Sequence, residues 1–268
     1  MTDTASIPGL HLGPRSVPEL LDRALALYLG HSGAMFALSL SGGAVAWLLL
    51  VLTGHPVHLA APVPFLHLFT SAAGNLGYAP AWWALVLSVC VQALVWASLL
   101  VLAGRSAADP GTDAPPVFQS VRAGLPRLWP LLVTSVAVGV LSGLASLLLI
   151  VPGVFLLTRW TVAPVAAVVE RRGASSALGR SFTLVRGLFW HTLGALFLGG
   201  LAVAIVSGVL DAGGLLLAGI AGPVGFGLRE LWSTAVSAAA APYPACLLVL
   251  LYYDLRARKE GLDLEGGS

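Results

Sequence analysis

Six apolar runs divide this chain, and five of them are long enough to cross a lipid bilayer as single helices. A spanning helix needs about 20 mostly apolar residues, because its backbone polar groups must all be satisfied within the helix. The runs cover residues 34–53, 81–104, 129–150, 154–169, 189–210 and 231–253, and only the fourth is short. The sequence therefore predicts an all-α integral membrane protein with six transmembrane helices.

The composition excludes several soluble classes of protein. Of the 268 residues, 57% are apolar and 10% are charged, whereas soluble domains carry about 25% charged residues. So little charge does not fit a secreted globular domain or a disordered region. The formal net charge of +2 is too small to indicate nucleic acid as a partner.

Basic residues fall almost entirely on one side of the predicted membrane. Arg229 alone lies on the other side and Arg159 lies within the fourth run. The remaining twelve are Arg15, Arg23, Arg105, Arg122, Arg127, Arg171, Arg172, Arg180, Arg186, Arg256, Arg258 and Lys259. By the positive-inside rule, both termini of this multi-pass chain are predicted to face the cytoplasm. The excess of arginine over lysine favours a bacterial protein, placed in the cytoplasmic (inner) membrane.

A loose internal repeat organises the chain. Amphipathic segments with a central arginine begin at Ser16, Pro115 and Ala174, ahead of runs one, three and five. Each is predicted to lie as a helix in the cytoplasmic interface and to precede a two-span hairpin. The spacing of Ser16 and Glu19 fits a capping box at the first of these helices. The repeat units cover residues 16–104, 115–170 and 174–258 of one domain, 1–268, with flexible tails at 1–14 and 259–268.

Small residues and a short turn predict how the spans pack. Residues 151–153 read as a tight Pro-Gly turn, which makes spans three and four an antiparallel pair. Small residues at a spacing of four let helix backbones approach closely in lipid. Two such faces are Ser135, Gly139 and Gly143 in span three, and Gly200, Ala204 and Gly208 in span five. Internal packing is the favoured interpretation, and contact between copies of the chain is the alternative.

Arg159 is the most unusual residue within a span. A charge at that depth normally faces a partner or a water-filled cavity, and Pro164 predicts a break in the helix just beyond it. Candidate counter-charges are Glu170, Asp211 and Glu230. The structural interpretation is an ion pair or an arginine that extends to the interface. The functional one is a clamp for a substrate anion or a lipid phosphate.

Other polar and proline positions carry weaker expectations. Gln92 is predicted to make a hydrogen bond between helices, and residues 242–244 are predicted to kink the sixth span. His55, His58 and His67 include a His-x-x-His pair. Because Pro56 interrupts that pair and no carboxylate or thiol is close in sequence, no metal site is predicted.

Four arginines between spans four and five are candidates for lipid headgroup binding: Arg171, Arg172, Arg180 and Arg186. The anionic cytoplasmic leaflet attracts each basic residue at its surface by about 1 kcal/mol. Membrane lipids are therefore the expected partners, with a membrane protein or a second copy as further possibilities.

Four stretches in order along the chain carry a family resemblance. They are residues 19–24 with Leu27 and Tyr28; Pro152 and Gly153 with Arg159, Trp160, Ala163, Pro164 and Glu170; Ala177, Leu178, Arg180, Ser181, residues 184–187 and Trp190; and residues 251–256, 258–261, 263 and 264. The chain resembles bacterial membrane proteins related to the membrane domain of glycerophosphoryl diester phosphodiesterases. The resemblance implies a six-span helical membrane domain. It implies no phosphodiesterase activity, because the catalytic barrel of about 250 residues, its His-Arg-Gly signature and its Glu-x-Asp metal pair are all absent.

The sequence offers no catalytic constellation and no cofactor site. It contains no G-x-S-x-G, no phosphate-binding P-loop, no H-E-x-x-H and no C-x-x-C. The leading hypothesis is a non-catalytic inner-membrane protein that organises lipid or a membrane partner. The alternatives are a transporter or permease component with its site near Arg159 and, third, an intramembrane lipid enzyme.

Overall fold

The computed structural model describes residues 15–52, 82–108, 116–220 and 225–260, and all regular structure within these ranges is helical. The helices are α1 (Val17–Gly30), α2 (Ser32–Leu52), α3 (Trp82–Ala108), α4 (Val117–Gly124), α5 (Leu128–Leu148), α6 (Ile150–Trp160), α7 (Ala163–Val169), α8 (Ala174–Val185), α9 (Phe189–Ile220), α10 (Gly225–Ala240) and α11 (Pro242–Glu260). A short 3₁₀ turn, Leu125–Arg127, joins α4 to α5.

Five helical stretches are long and apolar enough to cross a membrane. They are Val86–Ala108, Val117–Leu148, Ile150–Val169, Phe189–Ile220 and Leu231–Glu260. A sixth candidate is the bent pair formed by α1 and the first part of α2, whose axes differ by 81°. The prediction of a multi-span helical membrane protein is confirmed at this level, with five to six candidate spans.

The segments ahead of the spans differ among the three predicted repeat units. In the first unit α1 is a separate helix, capped by Glu19, whose carboxylate accepts a hydrogen bond from the Ser16 amide at 2.9 Å. In the third unit α8 is separated from α9 by a turn in which Gly187 has a φ of +83°. In the second unit α4 instead continues into α5 as one 32-residue stretch. Pro126 and Pro130 do not break it, because each lies in the first turn of a helical segment, where no amide donor is needed.

Spans three and four form a hairpin, but the predicted position of its turn is wrong. The chain reverses at Leu149, the one extended residue between α5 and α6, and Pro152 and Gly153 lie inside the first turn of α6. Proline is tolerated there for the same reason as above. Glycine permits the close approach of the two helices, since a Cβ atom at Gly153 would lie only 2.8 Å from the Cα of Ser146.

The remaining span boundaries differ in smaller ways from the predictions. Helix α9 continues ten residues beyond the predicted end at Leu210, because the residues after Asp211 are small or apolar and keep the helix going. The prolines at 242 and 244 interrupt the helix only at Ala241, and α10 and α11 together still form the stretch Leu231–Glu260. Lys259 and Glu260, predicted as part of a flexible tail, belong to the last turn of α11.

The predicted small-residue faces are partly misplaced. Gly139 is buried, but Gly143, Gly200 and Gly208 face open space. The inner face of α9 is displaced by one residue and consists of Gly199, Val203 and Ser207, which are buried. At Gly199 a Cβ atom would overlap the side chain of Leu247 on α11. A spacing of four recurs on several faces of a glycine-rich helix, so the spacing alone does not identify the buried one.

Helix α11 is central to the bundle. It packs against α1, α3 and α9 and also contacts α2, α7, α8 and α10. Its Leu251 and Leu255 are fully buried in one core with Leu20 of α1, Leu100 of α3 and Val165 of α7. The last two turns of α11 then carry charged and phenolic side chains to one end of the bundle, where the ends of the other helices meet them.

Candidate functional site

One end of the bundle collects most of the charged side chains that the structure describes, and it is called the basic end. It is defined by Arg15, Arg105, Arg127, the stretch 170–180 and the last turns of α11, which are joined by the contacts described below. The sequence-based assignment of twelve basic residues to one side contains all arginines of this set. The charges separate into two compensated clusters and one uncompensated cavity.

The first compensated cluster surrounds Glu170, at the end of α7, and is called the Glu170 cluster. The Glu170 carboxylate accepts hydrogen bonds from the Tyr252 hydroxyl and from Arg172. Arg180 Nη2 lies 3.1 Å from it and Arg256 Nε lies 3.9 Å from it. Glu260 completes the cluster by pairing with Arg180 and with Arg256, the latter at 2.9 Å. Three arginines and two glutamates thus share one network that joins α7, α8 and α11.

The Glu170 cluster favours the charged form of its central carboxylate. Burial alone would raise the pKa of Glu170, since only 13% of its side chain is exposed. Hydrogen bonds from Tyr252 and Arg172 and the charges of Arg180 and Arg172 outweigh burial and hold the pKa of Glu170 below its usual value. The network is therefore an ion cluster that connects helices. Its carboxylate is not poised to exchange protons near neutral pH.

The second compensated cluster surrounds Asp254, whose side chain is fully buried on α11. One carboxylate oxygen accepts a hydrogen bond from the backbone amide of Arg15 at 2.7 Å. The other lies 3.0 Å from His191 Nε2 and 2.9 Å from Arg258 Nε. Arg258 also donates to the carbonyl oxygen of Arg15. This cluster fixes the start of α1 against the beginning of α9 and the end of α11.

The third feature is a cavity of about 250 Å³ with three arginines in its wall. It is called the arginine cavity and is lined by Arg105, Arg127, Arg171, Ala123, Pro126, Pro130 and Ala167. Arg105 lies in the last turn of α3, Arg127 lies in the 3₁₀ turn before α5, and Arg171 follows the C-cap residue of α7. None of the three forms an ion pair with another residue in the described ranges. Arginine stays protonated at any accessible pH, so such a wall binds anions and does not transfer protons.

Arg171 enters this wall because of its backbone conformation. It has a φ of +54°, the one non-glycine residue with a positive φ among those described. The residue follows the C-cap of α7, a position where glycine is usual because an L side chain is strained there. Glu170 and Arg172, on either side of it, belong to the Glu170 cluster, whereas Arg171 lines the cavity.

Arg159 pairs with neither Glu170 nor Asp211, the predicted carboxylate partners whose side chains the structure describes. Its guanidinium lies over the rings of Phe182, at 4.7 Å, and Phe155, at 5.1 Å, and Nη1 is 3.4 Å from the carbonyl oxygen of Phe182. Its own carbonyl oxygen accepts a hydrogen bond from Ser181 at 2.8 Å, because the helix is interrupted between α6 and α7 as Pro164 predicts. Aromatic faces stabilise a guanidinium by cation–π attraction. Arg159 therefore fastens α8 to span four.

The other intramembrane candidates lie apart from the basic end. The Gln92 side chain is half-buried and makes no hydrogen bond to the rest of the described chain. Asp211 is at the far half of α9, near Ser233 and Arg229, and its Oδ1 is buried without a hydrogen bond. The side chain of Glu230 lies outside the described residues, as do His55, His58 and His67.

The four predicted headgroup arginines separate into three groups. Arg172 and Arg180 are engaged by carboxylates of the Glu170 cluster. Arg171 lines the arginine cavity. Arg186, in the turn between α8 and α9, is exposed and pairs with no carboxylate of the described ranges.

Several residues of the basic end were not singled out as site candidates from the sequence. Tyr252, Asp254 and Arg258 lie on α11, where spacings of four connect Tyr252 to Arg256 and Asp254 to Arg258. This spacing places each pair on one helix face, so it indicates from the sequence alone that the two side chains of each pair are neighbours. Arg105 and Arg127 carried no comparable signal, because their neighbours come from distant parts of the sequence.

No protein-family model, no curated protein and no solved structure matches this chain in the comparisons. The resemblance to membrane domains of glycerophosphoryl diester phosphodiesterases therefore stays a prediction.

Proposed function

We propose that this protein is a non-enzymatic multi-pass protein of the bacterial cytoplasmic membrane that gathers anionic lipid around its basic end. The observation that carries the proposal is positive charge left over at that end after the carboxylates are used. Arg122, Arg186 and Lys259 are exposed there and form no ion pair with other described residues. Each such side chain attracts an anionic leaflet by about 1 kcal/mol. These three residues are called the exposed collar.

The proposal includes an arrangement of six spans in three hairpins, with both termini and the basic end on the cytoplasmic side. The distribution of basic residues supports this orientation, since the cytoplasmic ends of spans carry most arginines and lysines. Short helices α1 and α8, which precede the first and third hairpins, fit the interface between lipid and water. A protein partner, or a second copy of this chain, would then meet a local pool of anionic lipid.

A transporter with a site at Arg159 is the weaker alternative. It requires a polar cavity between spans four and six. The core residues described in these two spans are instead apolar, among them Val162, Val165 and Ala166 in span four and Leu247 and Leu251 in span six. Arg159 itself is covered by two phenylalanine rings. An intramembrane lipid enzyme has no described nucleophile and base pair in its favour.

The test is the lipid composition that surrounds the protein. The full chain is reconstituted into vesicles of equimolar phosphatidylcholine and phosphatidylglycerol and extracted with its nearest lipids by a styrene–maleic acid polymer. Mass spectrometry then gives the ratio of the two lipids in the extracted discs. We expect phosphatidylglycerol to be enriched around the wild-type protein, and more strongly at low salt than at high salt.

The variant that tests the collar neutralises all three of its residues, R122Q/R186Q/K259Q. Its extracted lipid ratio should approach that of the vesicles. Arg229→Gln, on the opposite side of the predicted membrane, is the control and should keep the wild-type ratio. Equal ratios for the wild-type protein and the collar variant would overturn the proposed function.

A further inference from the structure

The arginine cavity brings three arginines together in a wall that contains no carboxylate of the described residues. Arg105 and Arg171 are exposed and Arg127 is half-buried. The other wall residues are alanine and proline, which carry no side-chain charge or hydrogen-bonding group. Three guanidinium groups held around one space repel each other, so the arrangement gains free energy when an anion enters.

Two nearby arginines outside the cavity are paired with carboxylates, so the absence of ion pairs distinguishes the cavity wall from these immediate neighbours. Arg172 and Arg180, on the same connection between α7 and α8, are paired with Glu170. Glu170 is adjacent to Arg171 in sequence, yet it contacts Tyr252 and Arg256 of α11 whereas Arg171 lines the cavity. Between these two orientations the backbone of Arg171 is left-handed, at a position where glycine would be favoured. Strained conformations of this kind concentrate at binding sites.

We propose that the arginine cavity binds the phosphate group of one anionic membrane lipid, with Arg105, Arg127 and Arg171 as its ligands. Guanidinium groups form paired, charge-assisted hydrogen bonds with phosphate oxygens. A volume of about 250 Å³ equals that of roughly eight water molecules, which is enough for a phosphate group with the first atoms of its glycerol. This inference uses the proposed function only for the source of the lipid.

The surroundings favour a lipid over a free phosphate ion. The wall contains Pro126 and Pro130, and exposed Trp129 and Leu125 lie beside them in sequence. Tryptophan and leucine at this level contact the interfacial and acyl parts of a lipid. A soluble phosphate would leave these apolar groups without a partner.

The decisive variant is Arg171→Gly. Glycine adopts a φ of +54° without strain, so the substitution removes the charge while keeping the local backbone. The protein is titrated in detergent with phosphatidylglycerol, and native mass spectrometry counts the lipids bound to the intact chain. Wild-type protein should bind one lipid with clearly higher affinity than the next. Arg171→Gly should weaken that first binding by about tenfold or more, the loss expected for one charge-assisted pair.

Arg23→Gln is the matched control, because it removes one exposed arginine charge of α1 that lies outside the cavity wall. Its first lipid should bind as in the wild-type protein. Arg105→Gln and Arg127→Gln should each weaken the first binding as Arg171→Gly does. Equal affinities for wild type, Arg171→Gly and Arg23→Gln would overturn the proposal.

Two further arms distinguish the ligand source and the underlying function. In the first, thermal stability is measured with added inorganic phosphate at constant ionic strength. If phosphate stabilises the wild-type protein but not Arg171→Gly, and no discrete bound lipid is seen, the site is assigned to free phosphate. That result would keep the phosphate chemistry and overturn the lipid. The collar variant R122Q/R186Q/K259Q should retain the first tight lipid while it loses general enrichment, so the site and the proposed function can fail separately.

Asp109 and Asp113 follow Arg105 in sequence and lie outside the described residues. The variant D109N/D113N tests whether these two carboxylates occupy the cavity in place of a lipid. Absence of a tight lipid in the wild-type protein and its appearance in D109N/D113N would mean that the chain supplies its own anion, and would overturn the proposal.

Discussion

Arg171 and Arg172 are adjacent in sequence, but they belong to opposite kinds of surroundings. Arg172 belongs to the Glu170 cluster, in which two carboxylates pair with three arginines and the Tyr252 hydroxyl donates a hydrogen bond to Glu170. Arg171 belongs to the arginine cavity, in which no carboxylate of the described chain compensates any of three arginines. The two regions differ in charge balance although their arginine content is equal.

The two regions show two uses of arginine at one end of a helical bundle. In the Glu170 cluster the charges are satisfied internally, so the cluster connects α7, α8 and α11 and has little free energy to offer a ligand. In the cavity the chain tolerates repulsion among three arginines, which a bound anion would relieve. It also tolerates the strained backbone of Arg171, which places one of these arginines in the wall. Stability should therefore depend on the first region and anion affinity on the second.

The largest expected effect is the loss of stability in Glu170→Gln. The substitution leaves Arg172, Arg180 and Arg256 without their shared carboxylate. Because Glu170 is mostly buried but its partners are partly exposed, the cost should be about 2–3 kcal/mol, as for a hydrogen bond to a charged group. Thermal unfolding in detergent, followed by circular dichroism, should show a clearly lower midpoint. Glu260→Gln is the control, because the side chain of Glu260 is more exposed and its loss should cost less. Equal effects of the two substitutions would contradict the central role of Glu170.

Asp254→Asn should have the next largest effect, and the effect should be localised. Asparagine keeps the shape of the side chain but loses the charge that faces Arg258 and His191. A cost of about 2 kcal/mol is expected for a buried hydrogen bond to a charged group. Hydrogen exchange at the Arg15 amide should accelerate, since that amide donates to Asp254. His191→Gln leaves this bond in place and should change exchange at Arg15 much less.

The presence and approximate positions of the helices could be predicted from the sequence, because hydrophobic length is a local property. Six apolar runs, the interruption before Pro164 and the Ser16–Glu19 cap all have counterparts in the structure. The predicted end of span five at Leu210 is wrong, because the small and apolar residues beyond Asp211 continue the helix. The predicted turn at residues 151–153 is wrong, because Pro-Gly is compatible both with a turn and with the first turn of a helix.

The candidate site was less predictable, because its properties depend on distant residues. Arg171, Arg172 and Arg180 look equivalent in sequence, and only the approach of α11 determines which of them meets a carboxylate. The buried face of α9, with Gly199 rather than Gly200, depends likewise on Leu247 of α11. The positive φ of Arg171 had no sequence signal, since the nearest glycine is Gly173.

A sharper form of the comparison substitutes the two adjacent arginines by glycine. Arg171→Gly should raise stability by up to about 1 kcal/mol, because it relieves the left-handed conformation of an L residue. Arg172→Gly should lower stability, because it removes a partner of Glu170 and adds conformational freedom to the unfolded chain. Thermal unfolding of the two variants under one condition gives the sign of each change. A loss of stability in Arg171→Gly would mean that the Arg171 side chain has a structural contact.

The smallest expected effect is a dependence of stability on acid. The pKa of Glu170 is lower in the folded protein than its usual value near 4.5, so the unfolded chain takes up this proton first as the pH falls. The contribution of Glu170 is therefore complete above pH 4.5 and decreases as the pH falls through the lower folded value. The effect is modest because a protonated carboxyl group can still accept a hydrogen bond from Tyr252 or Arg172. Unfolding midpoints measured from pH 7 to pH 3 should fall more steeply for the wild-type protein than for Glu170→Gln. Arg171→Gly is the control and should follow the wild-type curve, because the cavity contains no described carboxylate. A steep curve that persists in Glu170→Gln would assign the acid sensitivity to groups outside the Glu170 cluster. That result would contradict the distinction between the two regions.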